Sequence, residues 1–149
     1  MPSNSRTAEM KEDKSGNFRA LDHMLMKGDE VFNFVQAKVP PMIESLLNKA
    51  GYNKEEIDFY MFHQPNKFML KKLADKIGVP HSKLPDNIVE NFGNGSGISI
   101  PTAITYNIGK EFIKNSFLLC MAGFGTGLSW ASMLIYLDKL SFCEIIDYK

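Results

Sequence analysis

Between Gly97 and Gly109 the chain reads GISIPTAITYNIG, a stretch without a single charge. A surface helix turns a polar face to water, so a helix with none is buried on most sides. In one layered domain of 149 residues, a helix lying on a sheet still shows its outer side to solvent. The segment therefore predicts a further layer packed on that side, from a second domain or from another copy of this chain. At ~25 cal/mol per Å² of apolar surface, the chain alone is expected to associate or to be poorly soluble.

The elements around that helix alternate, which predicts an α/β fold. Val31, Phe34, Val35, Val39, Met42, Ile43, Leu46, Leu47 and Ala50 recur at helical spacing. They predict a helix over Glu30 to Ala50, N-capped by Asp29 and ended by Gly51. Pro40-Pro41 inside it should kink or break it. Asn53 to Glu56 has capping-box spacing. FYMF (Phe59 to Phe62) predicts a short strand delivering His63 at its end. A second helix is expected over Asn66 to Ile77, with Met69, Leu70, Leu73, Ala74 and Ile77 as its apolar stripe. NIVENF (Asn87 to Phe92) predicts a strand, as do Phe117 to Ala122 and Leu128 to Leu137, the last two joined by the glycine turn GFGTG. Phe18 to Met26 is ambiguous, possible strand included. Residues 1–17 are polar and predict an irregular lead-in, fitting an interdomain loop cut open and hence a fragment. The folded unit is expected over 18–138 and an unplaced tail over 139–149.

Composition removes several function classes. Lysine plus arginine equals aspartate plus glutamate, 17 against 17, so no overall field attracts nucleic acid or an anionic membrane. Cys120 and Cys143 are the two cysteines, and no metal-ligand spacing accompanies them, so no metal site is expected. The first residues lack the apolar core of a secretory signal, and no run approaches a membrane span. These features predict a cytoplasmic protein.

Three segments sit where strands meet loops, the usual place for site residues on α/β scaffolds: HQPN (His63 to Asn66), NFGNGSGISIP (Asn91 to Pro101) and GFGTGLSW (Gly123 to Trp130). Singly, each has a plain structural reading. A histidine at a strand end is commonly structural, asparagine beside glycine is turn chemistry, and three close glycines make a tight hairpin. His23 and His81 have no comparable neighbourhood, and Trp130 is expected in the core.

Together, in this order, the segments resemble the C-terminal half of β-ketoacyl-acyl-carrier-protein synthase III, a thiolase-fold condensing enzyme. The likeness runs from about Arg19 to Leu137 and includes Met26, Gly28, Glu30, Val31 and Phe32. It implies a mixed sheet with a buried central helix, half of a five-layer αβαβα architecture. It also implies decarboxylating Claisen condensation of malonyl-acyl carrier protein with an acyl-CoA primer, as in fatty-acid initiation, with no cofactor. Negative charge that builds on a thioester oxygen needs preorganised donors. The resemblance assigns that task to His63 and Asn94, gives the Thr126 backbone N–H to the oxyanion hole of the acyl-enzyme step, and makes Asn66 an orienting neighbour. The family's nucleophilic cysteine lies in an N-terminal half, and the complete enzyme is expected to be a homodimer. Cys120, in the apolar run FLLCMAG, is a poor substitute, so the isolated chain is expected to be inactive. Departures at Pro65, Gly95, Gly97 and Thr126 put acyl and carrier specificity in doubt and should loosen the backbone around Asn94. A non-decarboxylating acyltransferase of the same fold, or a non-catalytic structural or binding half, are the alternatives. Lys67, Lys71, Lys72 and Lys76 read either as a solvated helix face or, for Lys67, Lys71 and Lys72, as a docking surface for an acidic carrier protein.

Overall fold

The computed structural model describes residues 4–23, 26–125 and 127–146. Its main sheet has three strands, β3 (Phe59–Phe62), β4 (Phe117–Gly125) and β5 (Ser129–Leu137), in the order β3-β4-β5. A two-stranded hairpin precedes it, β1 (Lys11–Glu12) against β2 (Phe18–Arg19), so paired structure straddles the boundary expected at residue 17. β3 runs parallel to β4, with Tyr60 opposite Cys120, while β4 and β5 are antiparallel, with Phe124 opposite Trp130. The sheet is therefore mixed. Gly123 to Gly125 belong to β4, so the turn is shorter than the GFGTG motif suggested.

Side chains alternate across the pleat. Tyr60, Phe62, Cys120, Ala122 and Phe124 point to one side and join a core with Val35, Val39, Ile43, Leu47, Leu70 and Leu73. Those partners lie on α1 (Gly28–Ala50) and α2 (Lys67–Ile77). Met61 and Leu119 point to the other side, against Ala103, Ile108 and Phe112 of α4 (Ser99–Phe112) and Ile88 of α3 (Ile88–Phe92). The result is helices, sheet, helices.

Several local expectations are corrected. α1 begins at Gly28 with Lys27 at its N-cap position, so Asp29 lies in the first turn and is not the cap. It also continues through Pro40 and Pro41. Its buried stripe, Val35, Val39, Ile43 and Leu47, has a strict spacing of four on both sides of the prolines, and that burial outweighs two missing backbone bonds. Pro41 is exposed, on the side where water can serve the freed carbonyls. Gly51 ends the helix in the left-handed region, φ 76°, with Tyr52 N–H donating to Leu47 O at 3.1 Å, a Schellman closure. NIVENF is not a strand but contains the short helix α3. Asn87 and Asn107 exchange side-chain hydrogen bonds of 2.9 and 3.1 Å that hold it to α4.

α4 is buried on one side only. Ser99, Ala103, Ile108, Gly109 and Phe112 are covered, whereas Tyr106 is 45% exposed, as are Ile98 (66%) just before the helix and Phe92 (48%) beside it. This apolar face is the uncharged side read from the sequence. The chain after β5 returns across α4: Leu140 N–H donates to Phe112 O at 3.0 Å, and Cys143 passes directly over Gly109. The tail thus has a place as far as residue 146.

Candidate active site

His63 follows β3 directly, and its backbone N–H donates to Ala122 O at 2.8 Å, extending the ladder by one step. The ring lies edge-on to Phe124, centroids 5.6 Å apart. Its Nδ1 is 2.7 Å from Ser99 Oγ, and the Gln64 backbone N–H reaches the same oxygen at 3.3 Å. Gln64 is fully buried, with Nε2 donating to Phe62 O (3.1 Å) and Pro85 O (2.9 Å). These bonds pin the strand end. Burial holds the His63 imidazole below its usual range, the Ser96 carbonyl pulling the other way, so the ring is neutral near pH 7.

Asn94 lies on the loop between α3 and α4. Gly93 enters it at φ 73°, a conformation that favours glycine. The Asn94 Oδ1 accepts from Ser96 N–H at 3.0 Å. A backbone N–H can only donate, so the bond fixes which end of the carboxamide is oxygen. The amide NH₂ is left facing away from its own loop bond. Gly95 has an ordinary φ of −75° and Gly97 does not occupy the left-handed region; the left-handed residue is Ser96, at φ 51°. A single turn over Ser96–Ile98 leads straight into α4. The loop is thus tied down at Asn94, where glycines were expected to loosen it.

The two segments expected to cooperate are brought together, since Ser99 on the Asn94 side bonds to His63. The Asn66 carboxamide oxygen is used elsewhere: it accepts from Met69 N–H at 2.8 Å and caps α2. The hydrogen-bond partner of the His63 ring Nδ1 is Ser99. Sequence reasoning missed Ser99, although a lone short polar residue opening an uncharged helix was a signal. Thr126 lies outside the described residues. Cys120 is buried mid-strand, its thiol pushed up to about 12 by desolvation, which rules it out as a thiolate nucleophile.

The lysine face is less free than its sequence. Lys67 Nζ bonds both carboxylate oxygens of Glu90 at 2.8 Å. Lys72 lies 3.9 Å from Asp75 and over the exposed Phe68 ring. Asp75 also pairs with His81 at 2.8 Å. Lys71 is exposed and has no ion pair among the described residues. Trp130 is 43% exposed, edge-on to Phe34, and so is not the core residue expected. No group of three or more metal-ligating side chains occurs among the described residues, and no described helix is long and apolar enough to cross a membrane.

Known proteins are similar to this chain in sequence and in fold. Residues 47–137 match the family described as 3-oxoacyl-[acyl-carrier-protein (ACP)] synthase III C terminal. The beta-ketoacyl-[acyl-carrier-protein] synthase III of Synechocystis is 37% identical over 120 residues, covering 80% of this chain and 35% of that protein. The protein of the same name from Thermosynechococcus vestitus is 39% identical over 109 residues, 73% of this chain and 33% of its own. The crystal structure of a 3-oxoacyl-(acyl-carrier protein) synthase from Burkholderia xenovorans superposes with a TM-score of 0.80 at 38% identity, over 85% of this chain and 36% of that one. The chain spans about a third of the length of these relatives. With well over half its residues matched by the family, and relatives above the thirty-per-cent range along most of its length, this chain belongs to the 3-oxoacyl-[acyl-carrier-protein] synthase III family.

Proposed function

We propose that this chain supplies the oxyanion-binding half of an acyl-thioester condensing site. One observation carries the reading: both candidate donors are anchored by their far atoms. His63 is held through Nδ1 and Asn94 through Oδ1, which leaves the Nε2 end of the ring and the amide NH₂ to face a substrate oxygen. Neither donor bears a formal charge at neutral pH, so neither would hold a substrate carboxylate back by ion pairing.

The chemistry that fits is decarboxylating condensation. The C–C bond to the malonyl carboxylate breaks, carbon dioxide leaves, and the electron pair moves onto the thioester oxygen as an enolate. His63 and Asn94 hydrogen-bond that oxygen as its charge develops. The enolate carbon then attacks an acyl thioester on a cysteine, whose thiolate leaves. We place that cysteine outside this chain, since the buried Cys120 thiol is pushed up to about 12 and Cys143 packs over Gly109 of α4. The acyl group would come from an acyl-CoA and the malonyl group from a malonyl carrier protein. The Thr126 backbone N–H is assigned to the acyl-transfer step. The exposed face of α4, with Ile98, Tyr106 and Phe92, is where the other half would pack.

A chimera tests this: the N-terminal half of the Synechocystis relative joined to this chain, assayed for carbon dioxide release from malonyl carrier protein. Removing one oxyanion donor lowers turnover ~10²–10³-fold, so His63→Ala and Asn94→Ala should each do so. A chimera that condenses equally well with both alanines would refute the assignment. In parallel, the isolated chain should gain no acyl adduct from acyl-CoA by intact mass.

A further inference from the structure

The neutral imidazole has one N–H and one bare nitrogen, and which is which decides whether His63 can donate to a substrate. We propose that Ser99 is the positioning residue that sets this: its hydroxyl, clamped by the Gln64 backbone N–H, donates to Nδ1 and leaves the ring proton on Nε2. The use of that Nε2–H by a substrate rests on the function proposed above; the tautomer itself is a property of this chain.

The argument is one of hydrogen-bond accounting at a buried atom. Ser99 is 1% exposed, so water does not serve its hydroxyl. Oγ has two partners, Gln64 N at 3.3 Å and His63 Nδ1 at 2.7 Å. The Gln64 N–H can only donate, so Oγ accepts there. If Nδ1 also carried a proton and donated to Oγ, the hydroxyl proton would be left without an acceptor among the described residues. Leaving a buried polar group unpaired costs about 1–3 kcal/mol. With the hydroxyl proton directed to a bare Nδ1, the Ser99 hydroxyl, the His63 Nδ1 and the Gln64 backbone N–H are all paired.

The surroundings make the clamp stiff. Ser99 is the first residue of α4, so its Cα moves only with the helix. Gln64 is fixed from below by its two carbonyl bonds, to Phe62 and to Pro85. Phe124 limits ring tilt. Burial, which disfavours the imidazolium, keeps the ring in the form that has a tautomer to choose. The Ser96 carbonyl also acts on the ring as an acceptor; were it to hold the proton on Nδ1 in place of Ser99, the ring nitrogens would exchange roles.

The test is nuclear magnetic resonance on this chain with ¹⁵N-labelled histidine, read as long-range ¹H–¹⁵N correlations at pH 8. His63→Gln identifies the His63 signals against those of His23 and His81. The expected wild-type pattern is a single Nε2–H tautomer. Ser99→Ala and Ser99→Cys, the latter retaining bulk but only a weak donor, should each turn it into a mixture, and Ser99→Thr should keep the wild-type pattern. An Nδ1–H pattern in the wild type overturns the proposal without recourse to any variant. So does an unchanged pattern in whichever of the alanine and cysteine variants folds. Failure of the chimera to release carbon dioxide would end the condensing assignment and leave these spectra standing, whereas an Nδ1–H spectrum with an active chimera would end this inference and the donor role of His63 while leaving the condensing assignment.

Discussion

Replacing Gly109 with alanine sets two effects of opposite sign against each other. In an exposed helix interior the change stabilises by about 1 kcal/mol, because alanine is the better helix former. Gly109, however, is where the returning chain crosses α4. A Cβ there would lie 2.5 Å from the carbonyl oxygen of Cys143, 3.4 Å from its carbonyl carbon and 3.5 Å from its Sγ. The obstructing atoms are mostly backbone, so no rotamer change relieves the clash. If the tail is squeezed in place, overpacking costs about 1–3 kcal/mol. If it lifts, the Leu140 N–H to Phe112 O bond is lost, about 1 kcal/mol. Lifting also forfeits the packing of half-buried Leu140 and Cys143 on the α4 cluster, about 1–2 kcal/mol together. The 2.5 Å approach to a backbone oxygen puts squeezing in the upper part of its range, so either route exceeds the helix gain, leaving a net loss of about 1–2 kcal/mol. For a chain of this size that lowers the melting temperature by about 3–6 °C. Thermal denaturation measures the loss, and thiol labelling separates the routes. Cys143 should react faster if the tail lifts, with buried Cys120 as the unreactive internal control. A melting temperature that is unchanged or raised would refute the reasoning.

Four further outcomes are expected. Asn66→Ala should destabilise the chain by about 1 kcal/mol in urea denaturation, the worth of an N-cap, and Asn66→Asp should recover most of it. Ser96→Asn should stabilise by about 0.5–1 kcal/mol in the same assay, since asparagine tolerates the left-handed region that Ser96 occupies at φ 51°. The folded-state pKa of His63 lies below the ordinary value of 6.5, so just below that value the unfolded chain binds more protons. Its stabilising contribution is therefore complete above about pH 6.5 and is lost as pH falls through the folded-state value; urea midpoints between pH 8 and pH 5 should fall less steeply for His63→Gln than for wild type. Charge reversal at Lys71 and Lys72 in the chimera should raise KM for the carrier-linked substrate but not for the CoA thioester, and equal effects on both would dismiss the docking surface.

What the sequence made legible follows from which signals are local. α1, α2, β3 and the β4–β5 pair were all readable because their apolar periodicity is long or bounded by clear turn residues. NIVENF was misread because a short apolar run supports either period. The decision was made by contacts distant in sequence, Ile88 entering the α4 core and Asn87 meeting Asn107. Pro40-Pro41 was misread for the same reason, since only tertiary burial shows that the stripe on either side holds the helix through it. His63 and Asn94 were nominated through their segments' chemistry. Ser99 was not, because its role depends on a contact to a residue far along the chain, which no local pattern reports. Asn66 was noticed for its segment, and its carboxamide oxygen serves the cap that its position before α2 spelled.

Among the described residues, the elements that carry HQPN and GNGS are fastened to each other by contacts of two kinds. One is the Lys67–Glu90 pair joining the start of α2 to α3, with both side chains substantially in water. The other is the Ser99–His63 bond, uncharged and sealed from solvent on the Ser99 side. Added salt screens the first, an exposed pair worth about 1 kcal/mol at most, and has little purchase on the second. Ionic strength is thus a dial that slackens the outer fastening while leaving the inner one tight. Raising it should free the approach of α3 to the HQPN segment before it disturbs the imidazole at all.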